Sequence, residues 1–142
     1  MKETLVAGIE YEFTYTVPEN KTVPALFPEA AAFQVMPNVF ATGFMVGLFE
    51  WICIQALMPH LDWPAEQTVG VHVDVSHVAA TPPGFDVSVK VKLVEVDRRR
   101  LVFEIEATDG VDLISRGRHE RFVIDKAKFD GKVKEKIQGK RS

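Results

Sequence analysis

The sequence is poor in several features that would define a class of function. It has one cysteine, Cys53, so neither an intramolecular disulfide nor a cysteine-based zinc site can form, and a reducing compartment is expected. Seventeen basic residues against twenty acidic ones give a formal charge of -3, which lacks the positive field that binding to nucleic acid requires. The N-terminal residues contain no apolar run of the signal-peptide type. These absences predict a cytoplasmic protein that does not bind nucleic acid.

The common catalytic and nucleotide-binding motifs are also missing. The sequence contains no GxSxG, no Walker loop and no GxGxxG, so serine hydrolases, nucleotidases and Rossmann dehydrogenases lack their central residues here. Neither HxxxH nor CxxC spacing occurs, and no metal site is expected. With 142 residues, of which 46% are hydrophobic and 26% charged, the chain has the size and composition of a single globular domain spanning residues 1–142.

An apolar helix is the most prominent element that the sequence predicts. Residues 42–58 form a helical pattern almost without a polar face, in which Thr42 can serve as the N-cap and Pro59 ends the helix. Such a helix must be buried nearly all round. A membrane span is not predicted, because Glu50 and Gln55 interrupt the apolar run.

Alternating apolar and polar residues predict an antiparallel sheet beside this helix. The predicted strands cover residues 11–17, 68–77, 85–93, 101–107 and 112–124. Folding residues 97–100 as a hairpin connection sets opposite charges face to face on the wet side of the sheet. These pairs join Lys90 and Lys92 with Glu104 and Glu106. The predicted class is α+β, with the helix covering one face of the sheet.

Two departures from strict alternation predict local distortions in the strands. Val94 and Val96 break the phase of their strand, which indicates a bulge or a strong twist. Gly117 is expected to host a bulge in the last strand.

Two further segments lie outside this core. Residues 21–37 contain three prolines and several large apolar side chains, which is typical of a broken, lid-like segment. Residues 126–142 carry seven basic and two acidic residues and are expected to include a short helix. This basic tail has two interpretations, a solvated terminal helix or a contact with a ligand phosphate.

Glu50 is the first candidate for chemistry. It is the only acidic or basic residue between Glu29 and His60, and it lies in the middle of the apolar helix. A buried carboxylate is unfavourable unless it is paired or protonated. Glu50 therefore either solvates an exposed stripe of the helix or has a pKa raised toward neutrality, as a general base or nucleophile requires.

His77 and the start of the helix are the next candidates. Strand parity puts His77 on the same face as the valines that precede it, so we expect it to point toward Glu50. The alternative is a histidine satisfied by a backbone carbonyl. Thr42 and Gly43 open the helix, where free N–H groups and the helix dipole favour a developing oxyanion.

Three separated segments of the chain form a recognisable set. They are residues 39–51 (VFATGFMVGLFEW), residues 76–84 (SHVAATPPG), and residues 109–112 (DGVD) followed by residues 119–121 (HER). In order and spacing they closely resemble the fluoroacetyl-CoA thioesterase branch of the hotdog-fold thioesterases. The resemblance implies a long helix wrapped by a curved antiparallel sheet. It also implies a homodimer with active sites near the subunit interface, and a higher homo-oligomer stays open.

The resemblance also assigns residues to a site. The family's catalytic and substrate-binding positions fall on Thr42, Glu50, His77, Gly70 and Arg121. The implied reaction converts an acyl-CoA and water to a carboxylic acid and free CoA, without a metal or cofactor. Either Glu50 attacks the thioester, or Glu50 or His77 activates water directly.

Arg121 and the lid residues have alternatives. Arg121 would lie beside the acyl-CoA, or it would pair with Glu120 or Asp112 on the surface. The lid residues Phe33 and Met36 are three apart and could close the acyl pocket, or simply fill core space.

The identity of the second lid residue bears on the substrate. The fluoroacetyl-specific enzyme has phenylalanine at both lid positions, whereas this chain has methionine at the second, which predicts a general short-chain acyl-CoA thioesterase. The hypotheses that compete with this one are a domain that binds acyl-CoA without hydrolysing it, as a sensor or carrier, and an enoyl-CoA hydratase.

Overall fold

The computed structural model describes residues 1–141 of the chain. Its strands are β1 (Glu10–Thr16), β2 (Glu66–Val75), β3 (Asp86–Asp97), β4 (Arg100–Thr108) and β5 (Leu113–Asp125). Its helices are α1 (Val23–Leu26), α2 (Ala31–Gln34), α3 (Thr42–Leu57) and α4 (Lys126–Arg141), with 3-10 turns at Glu19–Lys21 and Met58–His60.

The strands form one antiparallel sheet in the order β1-β3-β4-β5-β2, so the predicted α+β class is confirmed. The two edges of the sheet are β1, which leads into the short helices, and β2, which follows α3. Each edge strand presents one row of backbone groups without a neighbouring strand in the chain.

The β3–β4 hairpin confirms the register that the charges predicted. Lys90 lies opposite Glu106 and Lys92 opposite Glu104. The connection is the predicted one, with Arg98 in the left-handed region at φ 57°. The register shifts after Leu93, which confirms the predicted bulge.

One face of α3 packs on the concave side of the sheet. The buried residues of α3 are Met45, Leu48, Phe49, Ile52, Cys53, Ala56 and Leu57. They meet the inward-facing rows of the two central strands, which are Val87, Val89, Val91 and Leu93 of β3 and Leu101, Phe103, Ile105 and Ala107 of β4. Burial of this apolar surface is the main stabilising contribution to the fold.

The opposite face of α3 is open, so the prediction that the helix is buried all round is wrong. Trp51 is 46% exposed and contacts Phe13 and Tyr15 with ring centres 5.5 and 6.5 Å apart. A single sheet covers only one side of a helix, which leaves the other side to solvent or to another chain.

The N-cap of α3 differs from the predicted one, and its apolar composition has a structural explanation. Ala41, not Thr42, is the N-cap, and Thr42 is the first helical residue with its side chain free for other contacts. Within residues 1–141, the stretch Thr42–His60 is the one helix long and apolar enough to cross a membrane. Seven of its residues are buried against the sheet, and this packing accounts for its apolar composition.

Two predictions about the edge strand β2 differ from the structure, namely that its valines pack on α3 and that it extends to His77. Val71 and Val73 are exposed and not buried against α3, although Val73 lies opposite buried His119 and Val75 packs against the core as predicted. The register with β5 shifts between Gly70 and His72. The shift changes which side chains face the helix beyond it. His77 lies two residues past the end of the strand.

Gly117 has a different role from the one predicted. The register shift of β5 against β4 lies at Ala107/Thr108. A Cβ on Gly117 would lie 2.1 Å from the backbone oxygen of Asp74. Glycine is needed there because the backbone of β2 approaches β5 closely.

The predicted lid and tail both contain helices. The lid segment holds α1 and α2, which are joined by a stack of Phe27 on Phe33 with ring centres 5.8 Å apart. The C-terminal helix α4 has 16 residues and is longer than the short helix predicted. Ser142, the last residue of the predicted basic tail, lies outside the described residues.

Hydrogen bonds to Asp109 link the segment that follows β2 to the β4–β5 turn. Its Oδ2 accepts a hydrogen bond of 2.8 Å from Thr81 Oγ1, and its Oδ1 accepts from the backbone amides of Val111 and Asp112 at 3.0 and 2.8 Å. Burial raises the pKa of the Asp109 carboxyl, but the hydrogen bonds from the Asp112 amide, the Thr81 hydroxyl and the Val111 amide outweigh it, so the pKa is lowered.

We expect Asp109→Asn to lower the free energy of unfolding by about 1–3 kcal/mol at pH 7, because it weakens hydrogen bonds to a buried charged group. A lowered folded-state pKa contributes stability above the ordinary aspartate pKa, and this contribution is lost as the pH falls through the folded-state pKa. The difference between wild type and variant should therefore shrink in acid. Urea unfolding measured from neutral to acidic pH checks this.

Asp112→Asn is the matched control for this experiment, because Asp112 is in the same turn but its side chain is exposed. It should leave the unfolding free energy nearly unchanged. A difference between wild type and Asp109→Asn that stays constant with pH would contradict the proposed contribution of the ionised carboxylate.

Candidate active site

Glu50 lies at the margin of the sheet-facing side of α3 and pairs with an arginine of β5. Its Oε2 accepts a hydrogen bond of 2.9 Å from Arg121 Nη1, and its side chain is 41% exposed. Neither of the two interpretations drawn from the sequence included this ion pair with Arg121. The hydrogen bond from Arg121 fixes one carboxylate oxygen, and the exposed part of the side chain leaves the carboxylate accessible for chemistry.

Gly70 of β2 leaves the space around this carboxylate free. A Cβ at this position would lie 3.0 Å from Glu50 Oε2, 3.2 Å from His119 Cε1 and 3.4 Å from Arg121 Nη1. Any larger residue would press on all three side chains. The predicted site residues Glu50, Gly70 and Arg121 thus come together at the bulge of β2.

Arg121 is a buried residue, which overturns the interpretation of a surface ion pair. Only 2% of its surface is exposed, and Glu120 is paired with Arg100 instead. Arg121 Nε donates to Thr68 Oγ1 and Nη2 donates to the Thr68 carbonyl, both at 2.8 Å. These bonds to β2 fix the guanidinium plane, so that Nη1 is directed at Glu50.

His119 completes this cluster and was missed as a site residue from the sequence. Its Nδ1 is 2.8 Å from the His72 carbonyl oxygen and its Nε2 is 3.1 Å from Arg121 Nη1. The alternation of side chains along a strand could have indicated it, because His119 and Arg121 are two residues apart and therefore share a face of β5. In the structure both side chains are buried. Its place in the family motif alone did not indicate a contact.

Cys53 is the remaining reactive side-chain type near this cluster. It is buried in α3, and burial raises the pKa of its thiol to about 12. The thiol is therefore protonated at neutral pH and is not a nucleophile.

Thr42 and His77 form a second group at the start of α3. Thr42 Oγ1 and His77 Nδ1 are 2.7 Å apart. Burial lowers the pKa of His77, so the ring is neutral at pH 7. Its Nε2 is buried and has no hydrogen-bond partner within residues 1–141.

The two groups are separated along α3, which corrects the expectation that His77 points toward Glu50. Thr42 and Glu50 are eight residues apart. This spacing is about 12 Å along a helix. Because His77 is bonded to Thr42, one chain presents a carboxylate group and a threonine–histidine group at different positions.

The start of α3 at Gly43 is covered by a residue that was not among the site residues predicted from the sequence. A Cβ on Gly43 would lie 3.1 Å from Leu26 Cδ1, so Leu26 of α1 covers Gly43. Phe33 stacks on Phe27, and Met36 is 47% exposed with its amide bonded to the Phe33 carbonyl at 3.2 Å. Closure of an acyl pocket by Phe33 and Met36 stays a prediction.

In the part of the chain that the structure describes, no group of three or more His, Cys, Asp and Glu side chains is placed to hold a metal ion. The polar groups at the site are instead a carboxylate held by an arginine, and a hydroxyl paired with an imidazole. Such groups are suited to nucleophilic or acid–base chemistry on an acyl group.

Solved structures identify the class of protein. A hot-dog-like protein from Thermanaerovibrio acidaminovorans aligns with a TM-score of 0.77 at 22% identity, covering 92% of this chain and 91% of that one, and shows the fold. The solved structure of the fluoroacetyl-CoA thioesterase aligns with a TM-score of 0.91 at 46% identity, covering 94% of this chain and 98% of that one. The protein is a thioesterase with the hotdog fold.

The particular family follows from two further findings. Residues 20–127 match the model of the fluoroacetyl-CoA-specific thioesterase family. The curated fluoroacetyl-CoA thioesterase of Streptantibioticus cattleyicolor is 47% identical over 136 residues, which is 96% of this chain and 97% of that protein. The chain belongs to the fluoroacetyl-CoA-specific thioesterase family. This membership favours thioester hydrolysis over the hypotheses of a non-catalytic sensor and an enoyl-CoA hydratase.

Proposed function

We propose that this thioesterase hydrolyses short-chain acyl-CoA thioesters, fluoroacetyl-CoA among them, to a carboxylic acid and free CoA. The observation that carries the proposal is the partly exposed Glu50 carboxylate, held by buried Arg121 beside Gly70, whose lack of a side chain leaves room for it. The 47% identical relative that is named a fluoroacetyl-CoA thioesterase supports fluoroacetyl-CoA as a substrate. The presence of methionine at position 36, where the fluoroacetyl-specific enzyme has phenylalanine, therefore does not by itself argue against that substrate.

Glu50 performs one of two roles in this reaction. As a nucleophile, its carboxylate attacks the thioester carbonyl, the CoA thiolate leaves, and water hydrolyses the mixed anhydride. As a general base, it takes a proton from a water molecule that attacks the carbonyl. In both roles the ion pair with Arg121 orients the carboxylate.

Thr42 and His77 assist at the carbonyl oxygen. The first turn of α3 has free backbone N–H groups and the positive end of the helix dipole, which stabilise an oxyanion. The Thr42 side chain is free of a capping role and bonds to neutral His77, so this pair is available to substrate or water.

A homodimer combines the two groups in this proposal. Within one chain a small acyl group cannot contact Glu50 and Thr42 together, because they are about 12 Å apart along α3. The β2 edge, with its exposed Val71 and Val73, is the surface that would pair with a second copy.

We expect light scattering at micromolar concentration to give twice the 15.9 kDa chain mass. The separation of the two groups allows a sharper test of the shared site. Mixing inactive Glu50→Gln with inactive His77→Ala, with subunit exchange, should restore activity to about a quarter of wild type, since half the dimers are mixed and each has one intact site.

The control for the mixing experiment is each inactive variant subjected to the same exchange alone, and neither should regain activity. No recovery after verified exchange would mean that Glu50 and His77 act from the same chain. A monomer mass in light scattering would argue against the homodimer itself.

We expect rates of hydrolysis to differ less than about tenfold among acetyl-, propionyl- and butyryl-CoA, since one or two methylenes in an adaptable apolar pocket discriminate weakly. Met36→Phe should narrow this range toward the smallest acyl groups, because a rigid ring replaces a flexible thioether. Release of free thiol from each substrate, with fluoroacetyl-CoA in the same panel, measures both.

Val35→Phe is the control for Met36→Phe, because Val35 is in the same segment and its side chain is largely exposed. It should leave the acyl range unchanged. A wild-type preference for fluoroacetyl over acetyl of a thousandfold or more would show that selectivity does not require the second aromatic side chain. Binding without thiol release would overturn the proposed hydrolysis.

A further inference from the structure

The buried ring of His119 has a hydrogen-bond partner on each nitrogen. Nδ1 is 2.8 Å from the His72 carbonyl oxygen, and Nε2 is 3.1 Å from Arg121 Nη1. An arginine only donates and a carbonyl only accepts. The two partners therefore assign one state to the ring, which is neutral with its proton on Nδ1 and its lone pair on Nε2.

This lone pair accepts from the nitrogen that holds Glu50. Arg121 Nη1 has two hydrogens, one directed to Glu50 Oε2 at 2.9 Å and the other to His119 Nε2 at 3.1 Å. The remaining bonds of the guanidinium go to Thr68. With these four of its five N–H groups bound, the guanidinium has one orientation, and His119 supplies the second contact of the nitrogen that holds the reacting carboxylate.

We propose that His119 is a positioning residue for hydrolysis, whose neutral ring holds Arg121 so that Arg121 holds the Glu50 carboxylate beside Gly70. This inference rests on the proposed role of Glu50 as the reacting carboxylate. The ring itself is not accessible to a substrate, since only 1% of His119 is exposed. It acts through Arg121.

The surroundings of His119 favour the neutral ring that this role needs. Burial lowers its pKa most, and the charge of Arg121 lowers it further. The His72 carbonyl, Glu50 on α3 and Glu120 on β5 act in the opposite direction without reversing the shift. A protonated ring would put an N–H against an N–H of Arg121 and break the contact.

Two substitutions separate the hydrogen bonds of His119 from its bulk. His119→Phe retains a buried aromatic ring but removes both bonds, and we expect kcat to fall about 10–100-fold with little change in KM, as for other residues that orient a site group. His119→Gln has an oxygen that can accept from Arg121 and an amide that can donate to the His72 carbonyl, and it should recover most of kcat.

His72→Ala is the matched control. The exposed His72 side chain is removed but its backbone carbonyl stays, so we expect wild-type kcat and KM. Combining His119→Phe with Glu50→Gln should give no loss beyond that of Glu50→Gln alone, because His119 acts only through the carboxylate. The same fold loss in both backgrounds would overturn the proposal.

The tautomer gives a test that does not depend on activity. Long-range proton–nitrogen NMR spectra of the wild-type protein should show a neutral His119 with its hydrogen on Nδ1 at neutral pH. A hydrogen on Nε2 or a charged ring would overturn the proposal even if His119→Phe fails to fold. Full activity of Glu50→Gln would instead refute the proposed role of Glu50, which distinguishes the two failures.

Discussion

Glu50→Gln should lower the release of free thiol from acyl-CoA by at least about 100-fold, because glutamine has nearly the same shape but is neither a nucleophile nor a base. Its side-chain oxygen can still accept the hydrogen bond from Arg121, so the local structure should be retained. Steady-state kinetics with a thiol reagent give the rate. Thermal unfolding of the same sample shows that the protein is folded.

Glu104→Gln is the matched control for the loss of a carboxylate. Glu104 is exposed on the wet face of the sheet and pairs with Arg118 at 3.1 Å, a type of contact worth about 0–1 kcal/mol. Its replacement should leave both rate and melting temperature unchanged. Wild-type thiol release by Glu50→Gln would show that the reacting group lies elsewhere.

Arg121→Ala is expected to reduce both activity and stability. Either interpretation drawn from the sequence, a contact with the acyl-CoA or a surface ion pair, would imply little change in melting temperature, and the buried position of Arg121 reverses that expectation. The substitution removes hydrogen bonds to the side chain and the carbonyl of Thr68, leaves Glu50 without its counter-charge, and opens a cavity. We expect a loss of about 3 kcal/mol or more, which lowers the melting temperature by about 10 °C.

Arg118→Ala is the control on the same strand, because Arg118 is exposed and faces the other side of the sheet. It should change the melting temperature by no more than about 2 °C. Calorimetry together with thiol release, expressed per folded protein, separates the two effects of Arg121→Ala. An unchanged melting temperature with lost activity would mean that Arg121 serves the substrate and not the fold.

Arg121→Lys tests whether charge alone is sufficient. Lysine retains the positive charge near Glu50 but lacks the planar fork that also binds Thr68 and His119. We expect partial recovery of stability and incomplete recovery of activity relative to Arg121→Ala. Full recovery of both would show that the fork geometry contributes little.

The local sequence pattern was sufficient to predict the central part of the fold. The register of the β3–β4 hairpin followed from opposite charges at Lys90, Lys92, Glu104 and Glu106, because paired positions on one face of two strands are determined by the connection between them. The bulge after Leu93 and the apolar α3 were predicted in the same way. Each of these features depends on residues close together in the chain.

The sequence by itself also pointed to Glu50, as the one acidic residue in an apolar helix, and to Arg121 through its resemblance to a family. Only the tertiary structure decided their partners and their exposure. Period-two alternation says that His119 and Arg121 share a face, but it does not say which segment covers that face or where β2 shifts its register. The covering segment and the register shift both depend on contacts between residues distant in the chain, such as the contact of Glu50 with Arg121. The local sequence pattern does not encode such contacts.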